Sequence, residues 1–162
     1  MFLVVHAPVG ALMGMWVGQP LAAFALGVAS HALLDIIPHG DEHLTDHLPP
    51  AARVRRIFLY GSIDAVCMAV VLVAVLGSWG MDVPTIGILA GISGGVLPDI
   101  LQGVSELFPG NRALRTYQRV HHFFHCEIIR YESSFLVGMV TQCAMLAVAL
   151  WGITAFGGTY AY

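Results

Sequence analysis

The sequence contains no lysine: its seven basic residues are Arg53, Arg55, Arg56, Arg112, Arg115, Arg119 and Arg130. Charged residues of either sign make up only 10% of the chain, against roughly 25% in soluble domains. With 57% hydrophobic residues and a mean hydropathy of +0.78, that scarcity argues against an ordinary soluble domain and for a membrane protein. The net charge of −3, with no basic patch interleaved with aromatics, gives no footing for nucleic-acid binding. Cysteine is scarce too. Cys67, Cys126 and Cys143 show no CxxC spacing and two fall inside apolar runs, so structural disulfides are not expected. The sequence has no GxSxG elbow, P-loop or Rossmann fingerprint, which argues against serine-hydrolase and nucleotide chemistry. No basic region precedes Phe2-Leu-Val-Val-His6, so the first apolar run is expected to be a retained helix and not a cleaved signal.

What the chain does have is apolar sequence punctuated by glycine and proline. Its 162 residues are expected to form one all-α integral membrane domain, a polytopic helical bundle. Five apolar segments, about 2–18, 20–37, 57–77, 84–101 and 133–156, are expected to cross the membrane, several of them short of the roughly 20 residues a span needs. The stretch Gly27 to His39 aligns with Gly91 to Leu101, placing Gly27 over Gly91, Leu33 over Leu97, Asp35 over Asp99 and Ile36 over Ile100. That register suggests a two-helix internal repeat, about 1–50 and 57–110. Each copy carries small residues and an acid along one i, i+4 row: Ala23, Gly27, His31 and Asp35, then Gly87, Gly91, Gly95 and Asp99. His6, Gly10, Gly14 and Gly18 form a third row. Such rows serve helix packing, either within the chain or between copies in a homo-oligomer.

Every arginine lies in the 38–56 loop or the His/Arg-rich 102–132 connection, and a serial five-span bundle puts both on one side. The positive-inside rule makes that side cytoplasmic, with the N-terminus inside and the C-terminus outside. All eight histidines, and every acid but Asp82, fall toward the same face. His31 and Asp35 are one helical turn apart, as are His121 and His125, so each pair can grip one ion. With His6, His39, Asp64 and Asp99 nearby, these imidazoles and carboxylates suit Zn²⁺ best, with Mn²⁺ and Fe²⁺ sharing the donor set. The competing explanation is a polar network that holds helix ends together. Two ions are also compatible with the donors, to polarise an ester or phosphoryl oxygen and to activate water. Arg112, Arg115 and Arg119 form one stripe if helical, serving either attraction to anionic lipid head groups or a grip on substrate phosphate. His43 and His47, bounded by Gly40 and Pro49-Pro50, read as loop residues around Thr45 and Asp46. Glu127 and Glu132 are either partners of ligands or solvated acids.

The early His6, the block Ser30-His-Ala-Leu-Leu-Asp-Ile-Ile-Pro-His39, the block Gly95-Val-Leu-Pro-Asp-Ile100 and the run His121-His-Phe-Phe-His125 resemble the membrane-bound metal-dependent hydrolases, the DUF457 or YdjM-like group of small bacterial and archaeal proteins. The resemblance covers most of the chain and implies a multi-span helical protein of a prokaryotic cytoplasmic membrane with metal-dependent hydrolase activity. By motif match it points to His6, His31, Asp35, Asp99 and the 121–125 histidines. The group's usual His-Arg-Gly…His-Ser block stands here as His121-His-Phe-Phe-His125-Cys, and the order of the LPD and HxxLD blocks is exchanged. Together, residues and resemblance give His6, His31, Asp35, His39, Asp99 and His122 as metal ligands. His121, His125 and Asp64 are the catalytic groups, and Arg112, Arg115 and Arg119 the grip on a phosphate or head group. The expected substrate is a lipid or lipid-like phosphoester or another small molecule, met at the membrane. Two alternatives stand beside it: a non-haem di-iron lipid oxidase or desaturase, from the HHxxH and HxxxH spacings, and a non-enzymatic membrane metal carrier or scaffold.

Overall fold

The computed structural model of the protein describes residues 1–41, 44, 45, 47–78, 85–131 and 133–157, and among these it is helical with no strand. In chain order the helices are α1 (Leu3–Val17), α2 (Pro20–Asp35), α3 (Pro50–Gly77), α4 (Ile86–Leu107), α5 (Arg112–His122), a π-helical turn (Phe123–Glu127) and α6 (Phe135–Gly157). The breaks follow local chemistry. Gly18 closes α1 in the left-handed region at φ 68°, its N–H bonded to the Gly14 carbonyl at 2.9 Å. One residue later the Gln19 side chain caps α2 at Ala22 N–H and Pro20 takes the first helical position, where its missing N–H costs nothing. Pro38 keeps the chain from continuing α2, Thr85 caps α4, and Asn111 caps α5 at Ala113 and Leu114.

Helices α3, α4 and α6 are long and apolar enough to cross a membrane. The first two apolar segments differ from the sequence expectation: α1 and α2 are 15 and 16 residues, a hairpin of about 23 Å per arm at 1.5 Å per residue. Hydropathy also misplaced other ends. The third helix starts at Pro50, because its first two turns carry Arg53, Arg55 and Arg56 on an otherwise regular helix. The fourth continues through Gln102 and Glu106 to Leu107, and the 102–132 connection is mostly helical.

Helices α1, α2 and α4 meet backbone to backbone. A Cβ on Gly91 would overlap the Gly10 carbonyl, one on Gly10 or Gly27 would overlap the Gly91 carbonyl, and one on Gly14 would overlap that of Gly87. The glycine rows therefore face one another inside a single chain. At one end this seam is closed by a buried cluster of Ala11, Met15, Leu76, Ile88 and Ile153. At the other it delivers polar side chains. Helix α3 packs chiefly along α1 and leaves a row of valines outside, with Val66, Val70 and Val73 between 63% and 74% exposed. Leu136, Val140 and Trp151 do the same on α6. Contiguous apolar surface on long helices, with every main-chain polar group inside a helix able to bond internally, is consistent with a membrane protein.

Candidate metal centre

Close backbone approach brings three helices to one point. His6 on α1, His31 and Asp35 at the end of α2, and Asp99 on α4 surround a buried space, with His6, His31 and Asp35 all at most 2% exposed. The His6 and His31 rings stack with centroids 4.0 Å apart. The glycine at 95 matters here, since its carbonyl lies 2.8 Å from His31 Nδ1 and it packs against the His6 backbone. The α5 helix and the π turn then lower His121 and His125 onto the cluster. They are anchored by the Tyr117 hydroxyl, which donates to the Pro98 carbonyl at 2.6 Å, next to Asp99. Burial, with Asp99 and Asp35 adding to it, raises the Tyr117 phenol above its usual range, so it remains a donor.

His31, Asp35, Asp99 and His121 bring one ligand atom each within 4.8 Å of one another. Ligands about 2.1 Å from a tetrahedral ion are separated by roughly 3.4 Å. Here His31 Nε2 lies 2.9 Å from Asp35 Oδ2, 3.3 Å from His121 Nε2 and 3.8 Å from Asp99 Oδ1, while His121 Nε2 lies 3.6 Å from Asp35 Oδ2 and 3.7 Å from Asp99 Oδ1. The hydrogen bonds explain why this spacing is informative. A carbonyl only accepts, so the contact with Gly95 puts a proton on His31 Nδ1 and turns Nε2 toward the carboxylate. Asp35 Oδ2 is buried and receives no hydrogen bond among the described residues despite the short distance. A buried carboxylate oxygen facing an imidazole nitrogen in this way calls for positive charge between them, a metal ion or a proton on the imidazole. An imidazole that hands its other N–H to a backbone carbonyl is also the usual second contact of a metal-bound histidine.

Asp35, His39 and His125 form an adjoining group that shares the Asp35 carboxylate. His39 is oriented in the same manner, its Nδ1 2.7 Å from the Ile37 carbonyl. This group already contains a positive charge, because the Met1 ammonium sits 2.9 Å from Asp35 Oδ1 and 2.6 Å from His39 Nε2. Burial pulls the Met1 amine down, but the Asp35, Asp41 and Asp99 carboxylates outweigh it and raise it to about 10. Burial would push Asp41 up, yet the Met1 ammonium first and the adjacent His39 second hold its carboxyl below the ordinary range. Burial, then the nearby ammonium, lowers His125 to about 3, so its imidazole is neutral at physiological pH.

The other expected site residues divide. His6 reaches the cluster, with Nε2 3.1 Å from Asp35 Oδ1 and 3.9 Å from Asp99 Oδ2, but joins neither ligand group. His122 is exposed on the rim of the adjacent cavity. Asp64, expected to be catalytic, receives the N–H groups of Leu3 at 2.5 Å and Val4 at 3.1 Å, and so caps α1 from a neighbouring helix. Arg112, Arg115 and Arg119 are exposed on the side of α5 away from the centre and do not line the cavity. His47 is exposed in a turn, Glu127 is exposed, and His43, Asp46, Asp82 and Glu132 lie outside the described residues.

Sequence reading missed several positions. Asp41 lies 2.9 Å from His39 Nε2. The α6 residue Gln142, 2% exposed, donates to the His39 carbonyl at 3.0 Å and accepts from Phe2 N–H at 2.9 Å. Gly138, one turn earlier, has no room for a Cβ against the His39 carbonyl. The Gly138 and Gln142 i, i+4 pair was the one available signal, a lone buried-type amide beside a glycine in an apolar span. Compared with protein families, curated proteins and solved structures, the chain matches none.

Proposed function

We propose that the chain is a metal-dependent hydrolase of the membrane, acting at the face where its arginines gather on a phosphoester of a lipid or lipid-like molecule. The observation that carries this reading is the meeting of His31 Nε2 and Asp35 Oδ2 at 2.9 Å without a hydrogen bond between them, in one group with Asp99 and His121. His31, Asp35, Asp99 and His121 would hold the ion, and two imidazoles with two carboxylates favour Zn²⁺, with Mn²⁺ and Fe²⁺ as the alternatives. Such an ion supplies Lewis acidity toward a phosphoryl or ester oxygen and lowers the pKa of water. The protein's own groups do the rest. His6 stacks on His31 and fixes its ring, Gly95 fixes its tautomer, and Tyr117 holds the arm that carries His121. His125, neutral and a weak base, serves binding better than proton abstraction. Asp99, 23% exposed, opens from the centre toward the cavity.

The short motifs shared with the membrane-bound metal-dependent hydrolases support the same reading. In it, α3, α4 and α6 cross the bilayer and the α1 to α2 hairpin returns to its starting side, so the two chain ends lie on opposite sides whatever depth the hairpin reaches. The arginine bias makes the side with the centre cytoplasmic. The outward stripe of Arg112, Arg115 and Arg119 then lies at anionic lipid head groups.

Elemental analysis of the purified full chain, dialysed against Zn²⁺, Mn²⁺ and Fe²⁺ in turn, tests the reading. Near-stoichiometric metal is expected, with Asp35→Asn and Asp99→Asn each weakening it at least about tenfold, the lower end for disturbing a metal site. A folded wild-type chain that takes up none of the three metals would overturn it.

A further inference from the structure

Helix α4 runs two turns beyond Asp99, and Gln102, Gly103 and Glu106 follow that acid at i+3, i+4 and i+7, on the same face. With Asp99 they form one wall of a cavity of about 480 Å³ that is also lined by His121 and His125. The opposite wall is α3, which contributes Arg53 and Ile57, again one turn apart. Arg53 Nη2 lies 3.5 Å from Glu106 Oε1, so the acid on one wall holds the guanidinium of the other across the opening. Among the described residues Arg53 is the one arginine that lines this cavity. The α4 wall is also left open by design of its side chains: a Cβ added at Gly103 would meet nothing within 4 Å. Next to it Gln102 also lines the cavity, its Oε1 buried without a hydrogen-bond partner among the described residues.

We infer that this cavity is the binding site for a phosphate-type anion, the ester head group of the substrate, gripped by Arg53 and admitted by the gap at Gly103. The inference deepens the hydrolase reading and rests on it for what happens to the bound ester. A guanidinium presents a planar fork that matches phosphate oxygens, and Glu106 keeps that fork positioned while no ligand is bound. The volume is within the range of small-molecule sites, about 300–1,000 Å³. Asp41, Asp99 and Glu106 also border the cavity, against the Met1 ammonium and Arg53. Three carboxylates outnumber these two cations and would repel an anion, so anion binding here should be strengthened by the metal as well as by Arg53. Because one cavity contains both Arg53 and the His121 and His125 edge of the centre, an ester held by its phosphate is presented to the candidate ligands and not to bulk solvent.

The test is calorimetric titration of the full chain in detergent, Zn²⁺-loaded and metal-stripped, with inorganic phosphate, glycerol phosphate and short-chain phosphatidic acid. The variants are Arg53→Gln, Arg53→Lys and Gly103→Leu. Arg53→Gln is expected to weaken all three ligands about tenfold or more, Arg53→Lys to recover part of that, and Gly103→Leu to abolish the two esters. Metal content should stay at the wild-type level in each variant. Tighter binding of phosphatidic acid than of glycerol phosphate assigns the site to a lipid head group, and equal binding to a water-soluble ester. Wild-type phosphate affinity in Arg53→Gln, with folding intact by circular dichroism, overturns the inference and leaves the metal reading standing. If the wild-type chain holds no metal the hydrolase reading falls, and the cavity assignment is then decided by whether phosphate binding to the stripped protein still requires Arg53.

Discussion

The candidate centre is shared by two regions built on different physics. Helices α1, α2 and α4 touch through glycine backbones and contribute His6, His31, Asp35 and Asp99. Helix α5 and its π turn contribute His121 and His125 but have no buried residue of their own. They are joined to the framework by the Tyr117 hydroxyl, by imidazole contacts and by the chain itself. Three of the four proposed ligands, His31, Asp35 and Asp99, are thus part of a packed seam. The fourth, His121, is on an amphipathic arm whose outward face is basic. The difference suggests a division of labour: the seam determines where the acids are, and the arm determines when the site is complete.

The comparison breaks most sharply at the seam. Gly91→Val places a branched side chain against the Gly10 carbonyl, a backbone atom that cannot rotate away, and a cost of about 3 kcal/mol or more is expected. Thermal unfolding in detergent should show loss of the cooperative transition, or a melting point lower by many degrees. A near-wild-type melt would mean that α1 and α4 do not meet there. The arm should respond to the bilayer. Each arginine near an anionic surface is worth about 1 kcal/mol, so Arg112→Gln, Arg115→Gln and Arg119→Gln together remove up to about 3 kcal/mol. In anionic nanodiscs, amide exchange of α5 should be slower than in zwitterionic ones, and the triple variant should erase that difference while α4 exchanges as before. Equal protection of wild-type α5 in both lipids would separate the stripe from the membrane. The smallest effect is expected at the hinge between the regions. Tyr117→Phe deletes one hydrogen bond worth about 1 kcal/mol, so Zn²⁺ affinity should drop about fivefold with little change in the melt of the framework. An unchanged affinity would show that the arm is held by the imidazoles alone.

Much of this was legible residue by residue. The i, i+4 rows announced both the close packing and the acids at its end, since glycine spacing and helical geometry are local properties. His31, Asp35, Asp99, His121 and His125 were selected from spacing and from the motifs, and the structure brings them together. Other positions needed the contacts. Asp64 was placed in the chemistry because it falls toward the same face as the other acids, and the structure gives it two N–H groups at the start of α1 as partners, which only three-dimensional placement reveals. The arginine stripe on α5 was read as facing either lipid or substrate because periodicity identifies a face without saying which neighbour it meets. Arg53 passed as one of three loop arginines, since hydropathy cannot register that a charged stretch continues a helix into a cavity wall.

The sequence alone determined an apolar, charge-poor helical chain, consistent with a membrane protein, and the end at which its polar groups collect. Low charge, apolar length and the placement of every arginine are one-dimensional properties that need no contact between distant residues to be read. Tertiary structure alone decided which polar groups meet, because distances of 3 to 4 Å between helices depend on backbones meeting without side chains between them. Gly27 against Gly91 sets the separation of α2 and α4, and that separation, more than any motif, is what puts the carboxylate of Asp99 within reach of the His31 ring.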